Sequence, residues 1–109
     1  MKHRQVRLEK IMERELSRIL LIEVKDDRLR YVTILRVDLN SDFSVANIYF
    51  SVIGSEEQKK STAVILEEAK GYIRSSLGKV LEIRKVPELR FKYDKYGEKI
   101  DDILLGLKK

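Results

Sequence analysis

The side chains that most often carry enzyme chemistry are scarce in this sequence. It has one histidine, His3, and no cysteine among its 109 residues. Disulfides, thiolate nucleophiles and cysteine-based zinc sites are therefore excluded. A single histidine near the N-terminus, with no neighbouring ligand set, is typical of a surface residue and not of a metal ligand. We expect neither a metal site nor a cofactor.

Motifs that bind phosphate groups or activate a serine are incomplete here. Six residues separate Gly71 from Gly78-Lys79, and Val80 follows, which does not make a Walker loop. Ser76 and Lys79 match the pattern S-x-x-K, but its partner motifs are missing. The acidic residues fall at the ends of predicted elements or on polar faces, where capping and solvation explain them. We predict no catalytic residue and no enzyme activity.

Basic residues are the remaining candidates for a functional site. The sequence has 23 Lys and Arg against 18 Asp and Glu, a formal net charge of +5. This excess suggests a polyanionic partner, although it also occurs in proteins that bind nothing charged. It is concentrated at the N-terminus and in residues 70–85, which hold five basic residues and one acidic residue. The N-terminal cations are Lys2, Arg4, Arg7 and Lys10.

The second basic cluster falls on a predicted helix. If a helix restarts at Tyr72, then Arg74, Gly78 and Lys85 share one narrow flank, because spacings of four and seven keep them in register. A glycine between two cations would let a phosphodiester backbone approach closely, which gives sequence-independent affinity for nucleic acid. A solvated basic face explains the same spacing equally well. Tyr49 and Tyr72 are candidates for stacking on bases.

These residues must be positioned by the elements that the hydrophobic pattern predicts. The first thirty residues carry a helical period, and Asp26 and Asp27 mark its expected end. Strands are predicted over 31–39 and 43–53, joined as a hairpin by a turn at 40–42. Even-numbered residues from 46 to 52 are expected to face the core. Pro87 opens a third strand that alternates to residue 93.

A long helical pattern separates the second and third strands. Ser55 and Gln58 fit a capping box at its start, and the pattern continues to about Lys85. A helix of roughly thirty residues would be ~45 Å long, whereas a domain of this size should have a radius of gyration of ~13 Å. Glycine costs about 1 kcal/mol relative to alanine inside a helix. We therefore predict a break at Gly71.

The predicted fold is α+β, in the order α-β-β-α-kink-α-β, with one domain over residues 1–109. The three strands are expected to form one sheet covered by helices on one face. A short C-terminal helix follows from the apolar spacing of Ile100, Ile103, Leu104 and Leu107. Because no segment approaches the ~18 apolar residues of a membrane span and no signal peptide is visible, we expect a cytoplasmic protein.

This element order, with a glycine at the helix junction, is similar to the type II KH domain, which binds single-stranded RNA beside a GxxG loop. The sequence contains no GxxG. It resembles one bacterial family more closely, over nearly the whole chain. The matching segments are RQVRL, ELSRIL, VKDDRL, VTILRVDLNSDFSVANIYFSVIG, AKGYIR and RKVPELRFKYD. They look like ribosome-binding factor A.

The resemblance implies a non-enzymatic maturation factor of the small (30S) ribosomal subunit. Such a factor promotes processing of the 5′ end of the 16S rRNA precursor and supports growth after cold shock. Ala69-Lys70-Gly71 would occupy the place of the GxxG loop, with Ala69 and Gly71 at the kink. Several basic positions match those of the family, and Lys70 and Lys79 lie in the same cluster. The predicted RNA-binding residues are Arg4, Arg7, Lys70, Arg74, Lys79, Arg84 and Lys85.

Two departures from the family pattern affect these expectations. Asp27 stands where the family usually has proline, and the chain ends soon after Leu107, so tail-mediated contacts are not expected. The expected partners are the small subunit and its rRNA, without a membrane or a small-molecule substrate, and we expect a monomer. The alternative is a protein-interaction domain whose exposed strand or helix faces bind another protein, while its charge only maintains solubility.

Overall fold

The computed structural model describes residues 2–29 and 31–94, and its elements follow the apolar pattern of the sequence. Two helices and three strands carry the fold, with a π-helical segment (the π segment) and a 3-10 turn after the first helix. Their bounds are α1 Lys2–Arg18, the π segment Ile19–Val24, the 3-10 turn Asp27–Leu29, β1 Val32–Leu39, β2 Val45–Val52, α2 Glu56–Leu81 and β3 Glu88–Tyr93. The predicted C-terminal helix lies outside the described residues.

The strands form one mixed sheet in the order β1-β2-β3. β1 and β2 are antiparallel, with Leu39 opposite Ala46, and a register shift lies between Ile34 and Arg36. β2 and β3 are parallel, with Ala46 opposite Leu89. The predicted α+β fold with a three-stranded sheet is therefore confirmed.

One face of this sheet forms the core. α1 contacts β1, and α2 contacts β2 and β3. Along β2 the even-numbered residues are buried, as the alternation of the sequence predicts. Burial of apolar surface on this one face is the main contribution to stability. The largest buried side chains include Phe50, Met12, Leu16, Ile19, Ile48, Leu66, Ile73, Leu77 and Leu89.

The start of α2 is as predicted, but its course is not. Ser55 N donates to Gln58 Oε1 at 2.6 Å, and Gln58 N donates to Ser55 Oγ at 3.2 Å, which completes the capping box. The helix then runs for 26 residues without interruption, so the predicted break at Gly71 is wrong. A rod of ~39 Å fits because the molecule is elongated, with a longest dimension of 47 Å.

The end of α2 also differs from the prediction. The helix ends at Leu81 instead of Lys85, because Glu82 adopts a left-handed backbone conformation with φ of 53°. Residues 82–87 therefore form a loop, the α2–β3 loop. Arg84 and Lys85 belong to this loop and not to the helix on which the spacing placed them.

Candidate nucleic-acid interface

Gly71 lies on the exposed face of α2, and nothing in the described part of the chain requires a glycine there. None of the described glycines has a positive φ, and a Cβ added at Gly71 would meet no atom within 4 Å. A helical glycine nevertheless costs about 1 kcal/mol relative to alanine. The space beside its backbone is open to a molecule that approaches from outside.

Gly78, two turns further along α2, has the opposite character. A Cβ there would lie 3.0 Å from Val86 Cγ2, so the absence of a side chain lets the α2–β3 loop pack closely on the helix. The prediction that Gly78 admits a phosphodiester backbone is wrong because Val86 occupies that space. Among the described glycines, Gly71 is the one with open space beside its backbone.

A shallow depression lies beside Gly71, between α2 and the α2–β3 loop. It has a volume of about 390 Å³. Its lining residues, which define what we call the basic depression, are Gly71, Arg74, Ser75, Arg84, Lys85 and Val86. It therefore brings three of the predicted RNA-binding residues together with the open glycine.

Arg74 shapes the basic depression through hydrogen bonds to the loop backbone. Its Nη2 donates to the carbonyl oxygen of Val86 at 2.7 Å, and its Nε donates to that of Pro87 at 3.2 Å. A guanidinium has five N–H donors, so donors remain for an anion. Arg74 thus holds the loop and also places its guanidinium in the depression.

The other predicted cations differ in their surroundings. Arg84, Lys85 and Lys79 are exposed, and none of them forms an ion pair with another described residue. Lys79 is not part of the lining of the basic depression. Lys70 Nζ lies 2.9 Å from Glu67 Oε1 in a partly exposed pair, and such surface pairs contribute little to stability.

Arg4 and Arg7 lie at the same end of the sheet as the α2–β3 loop. Gln5 Nε2 donates to the carbonyl oxygen of Leu39 at 2.6 Å, and Leu39 N donates to Glu9 Oε2 at 2.7 Å. These bonds place the start of α1, with exposed Arg4 and Arg7, beside the end of β1. Leu39 lies opposite Ala46 in β2, and Ala46 lies opposite Leu89 at the start of β3. The end of β1 and the start of β3 are therefore about 10 Å apart, two strand spacings across the sheet.

The two tyrosines predicted to stack on bases differ in what surrounds their rings. The guanidinium carbon of Arg36 lies 3.9 Å from the ring centroid of Tyr49, so a cation already covers that face of the ring. Tyr72 is half-exposed, and its hydroxyl donates to Glu23 Oε1 at 2.7 Å. Of these two tyrosines, Tyr72 is the one for which no cation over the ring is found among the described residues, and it follows Gly71 in α2.

Glu23, which holds Tyr72 beside this site, is a residue that sequence reasoning missed. It accepts hydrogen bonds from Tyr72 and from Ser76 Oγ at 2.8 Å, and it lies 2.9 Å from Arg18 Nη2. These three contacts, with the Tyr72 bond the strongest, hold the pKa of Glu23 below its ordinary 4.5. Its α2 partners are 49 and 53 residues away, so no local pattern marks it.

The lining of the basic depression combines positive charge with an open stretch of backbone, an arrangement suited to an anion. Neither histidine nor carboxylate is among its lining residues. Throughout residues 2–29 and 31–94, no group of three or more histidine and acidic side chains could hold a metal ion. In the same part of the chain, no helix combines the length and apolar character needed to cross a membrane.

Comparison with known proteins identifies the family. Residues 4–104 match the family model of ribosome-binding factor A. The chain belongs to the ribosome-binding factor A family. A ribosome-binding factor A from Dictyoglomus thermophilum is 50% identical over 109 residues, which cover 99% of this chain and 91% of that relative.

Solved structures of ribosome-binding factor A share this fold. A Thermotoga maritima protein described as a candidate ribosome-binding factor A superposes with a TM-score of 0.74 at 35% identity, covering 84% of this chain and 88% of that one. The crystal structure of the Thermus thermophilus factor superposes with a TM-score of 0.73 at 26% identity, and the match covers 82% of this chain and 94% of that one. A homology model of the Thermus thermophilus factor was fitted into a cryo-EM map of a 30S complex. It superposes with a TM-score of 0.64 at 28% identity, and the match covers 81% of this chain and 92% of that one.

Proposed function

We propose that this chain is a maturation factor that binds the small ribosomal subunit through rRNA contacts in the basic depression. On this proposal it acts in the cytoplasm and supports processing of the 5′ end of the 16S rRNA precursor. Membership of the ribosome-binding factor A family supports ribosome binding. The small subunit is supported as the partner because the related Thermus thermophilus factor was fitted into a map of a 30S complex.

The open glycine, beside exposed cations that form no ion pair with another described residue, carries the proposal. The side chain that Gly71 lacks would help the helix and would fit without a clash in the described structure. What the glycine provides is access, since a phosphodiester can approach the backbone where no Cβ projects. Arg84 and Lys85 line the same depression and supply the charge that binds phosphate independently of base sequence.

The remaining predicted residues extend this surface. Arg4 and Arg7 project from the start of α1 at the same end of the sheet, where they can contact phosphates further along the same RNA. Lys70 and Lys79 flank Gly71 along α2. Arg74 contributes charge and, through its bonds to the loop, positions Arg84 and Lys85.

A protein-interaction domain without direct RNA binding is the second candidate. Leu21 and Ile22, on the π segment, are 74% and 53% exposed, which is unfavourable for apolar side chains unless a partner covers them. This candidate predicts binding to small subunits that is insensitive to salt and survives digestion of the RNA. Substitution of Leu21 by Ser would then abolish it.

Co-sedimentation with purified small subunits tests the proposed site. The variant Arg84→Ala/Lys85→Ala removes two cations that make no intramolecular ion pair in the described chain. The matched control, Lys60→Ala/Lys92→Ala, removes the same charge from exposed positions outside the basic depression. We expect at least tenfold weaker binding for the first variant and less than twofold for the second. Equal losses in the two variants would show that the depression is not the site.

The processing role requires a test in cells. Depletion of the protein should lead to accumulation of 16S rRNA precursor with an extended 5′ end. The control variant should restore the mature end, whereas Arg84→Ala/Lys85→Ala should not. Normal 5′ ends in depleted cells would exclude the role in processing. Ribosome binding would then still be judged by the co-sedimentation experiment.

A further inference from the structure

Tyr72 is an exposed aromatic residue whose ring is already fixed in place. It is 51% exposed, yet its hydroxyl donates to Glu23 Oε1 at 2.7 Å. Glu23 is itself held by Ser76 and by Arg18, so the acceptor of this one hydrogen bond is fixed in position. The ring therefore has little rotational freedom to lose when a ligand covers it, which favours binding.

Tyr72 lies beside the basic depression and is not one of its lining residues, because successive side chains of a helix project about 100° apart. It follows Gly71 directly in α2, and exposed Lys79 lies on the same side of the helix seven residues later, about 10 Å along the axis. A nucleic-acid strand whose phosphate lies against Gly71 can therefore place a neighbouring nucleotide over the ring. Positive charge along the backbone and an aromatic surface for a base together are typical of single-strand binding.

We propose that Tyr72 is a stacking platform for an unpaired base, which makes the basic depression selective for single-stranded over double-stranded RNA. The proposal rests on the proposed function and specifies the class of RNA that the site binds. A base within a duplex is stacked on both faces and has none free for Tyr72. A single strand can turn one base outward onto the ring.

The test compares binding of two RNAs by the full chain. The probes are a labelled, unstructured single strand and a duplex containing the same strand. Tyr72→Leu removes the ring, while Ser76 and Arg18 continue to hold Glu23. Tyr31→Leu is the matched control, since Tyr31 is also 51% exposed but lies at the opposite end of the sheet, where its carbonyl accepts from Ile53 N.

We expect Tyr72→Leu to weaken binding of the single strand by about 5- to 150-fold, the range that corresponds to base–aromatic stacking of ~1–3 kcal/mol. Binding of the duplex should change less than twofold, and Tyr31→Leu should leave both affinities unchanged. Tyr72→Phe keeps the ring but loses the anchor, so it should weaken single-strand binding less than Tyr72→Leu. Equal weakening for both RNAs, or no difference from Tyr31→Leu, would overturn the proposal.

NMR of the unmodified chain gives a second readout that does not depend on a variant. The ring protons of Tyr72, assigned by their loss in Tyr72→Phe, should shift upfield when the single strand is added and should not shift with the duplex. No upfield shift at saturating single strand would also overturn the stacking proposal. If Arg84→Ala/Lys85→Ala leaves binding of both RNAs intact, the proposed function fails. If that variant loses binding of both RNAs while Tyr72→Leu keeps both, the stacking proposal fails and the proposed function stands.

Discussion

Arg74 Nη2 donates a 2.7 Å hydrogen bond to the carbonyl oxygen of Val86, which ties α2 to the loop that carries Arg84 and Lys85. A second bond to Pro87 fixes the plane of the guanidinium. The basic depression is therefore formed before any RNA binds, and binding does not have to order the loop. Arg74 affects RNA binding in two ways, because its removal takes away a charge and also releases its neighbours.

Arg74→Lys should destabilise the protein although it keeps the charge. A lysine cannot donate in the planar, two-pronged manner of arginine, so the bonds to Val86 and Pro87 are weakened. We expect a loss of about 1 kcal/mol in the free energy of unfolding, since the site is partly exposed. Urea denaturation measures it, with Arg84→Lys as the control because Arg84 bonds to no described residue. Equal stability of the two variants would contradict the structural role of Arg74.

Gly71→Ala should stabilise the protein and weaken RNA binding at the same time. Alanine removes the helix penalty of glycine, about 1 kcal/mol, and its methyl group meets no atom within 4 Å. The same methyl group would stand where we propose that a phosphate approaches. Thermal unfolding and co-sedimentation with small subunits, measured on the same sample, should therefore move in opposite directions.

Gly78→Ala is the matched control for that experiment. Its methyl group would lie 3.0 Å from Val86 Cγ2, so part of the gain in helix propensity is offset by displacement of the loop. We expect a smaller gain in stability than at Gly71. If Gly71→Ala binds small subunits as well as the unmodified protein does, the open backbone is not what the RNA contacts.

The strands and the helix start were predictable because their signals are local. Alternation over residues 46–52 and the pair Ser55 and Gln58 each specify structure within one element, and both predictions are confirmed. The break at Gly71 was wrong because the size argument assumed a nearly spherical domain. The end of α2 was misplaced because the left-handed turn is made by Glu82, a residue that carries no stop signal.

The candidate site was less predictable because its contacts join distant segments. The spacing along the predicted helix identified Arg74 and Lys85 as neighbours, and the structure brings both to the basic depression although Lys85 lies in the α2–β3 loop. The spacing could not show that Arg74 bonds to the loop backbone or that Val86 covers Gly78. Nor could it assign Glu23, whose hydrogen bonds cross from the π segment to α2.

Glu23→Gln should reduce stability at neutral pH and have less effect in acid. The pKa of Glu23 lies below its ordinary 4.5, chiefly because Tyr72 and Ser76 donate to the carboxylate. A lowered pKa stabilises the fold above pH 4.5 and ceases to do so as the pH falls through the folded value. Urea midpoints from pH 7 to pH 3 should show a difference between the two proteins that shrinks below pH 4.5. A difference independent of pH would rule out this role for the carboxylate.

The salt dependence of RNA binding should report how many phosphates the basic depression neutralises. For a single strand, the slope of log K against log salt concentration is about −0.7 per phosphate contacted. Arg84→Ala/Lys85→Ala should therefore make the slope shallower by about 1.4, if each side chain neutralises one phosphate. Tyr72→Leu should lower the affinity with no change in slope, because stacking releases no counterions. Fluorescence anisotropy of a labelled single strand over a series of salt concentrations measures both quantities. A slope that is unchanged by loss of the two cations would mean that the RNA phosphates lie elsewhere on the protein.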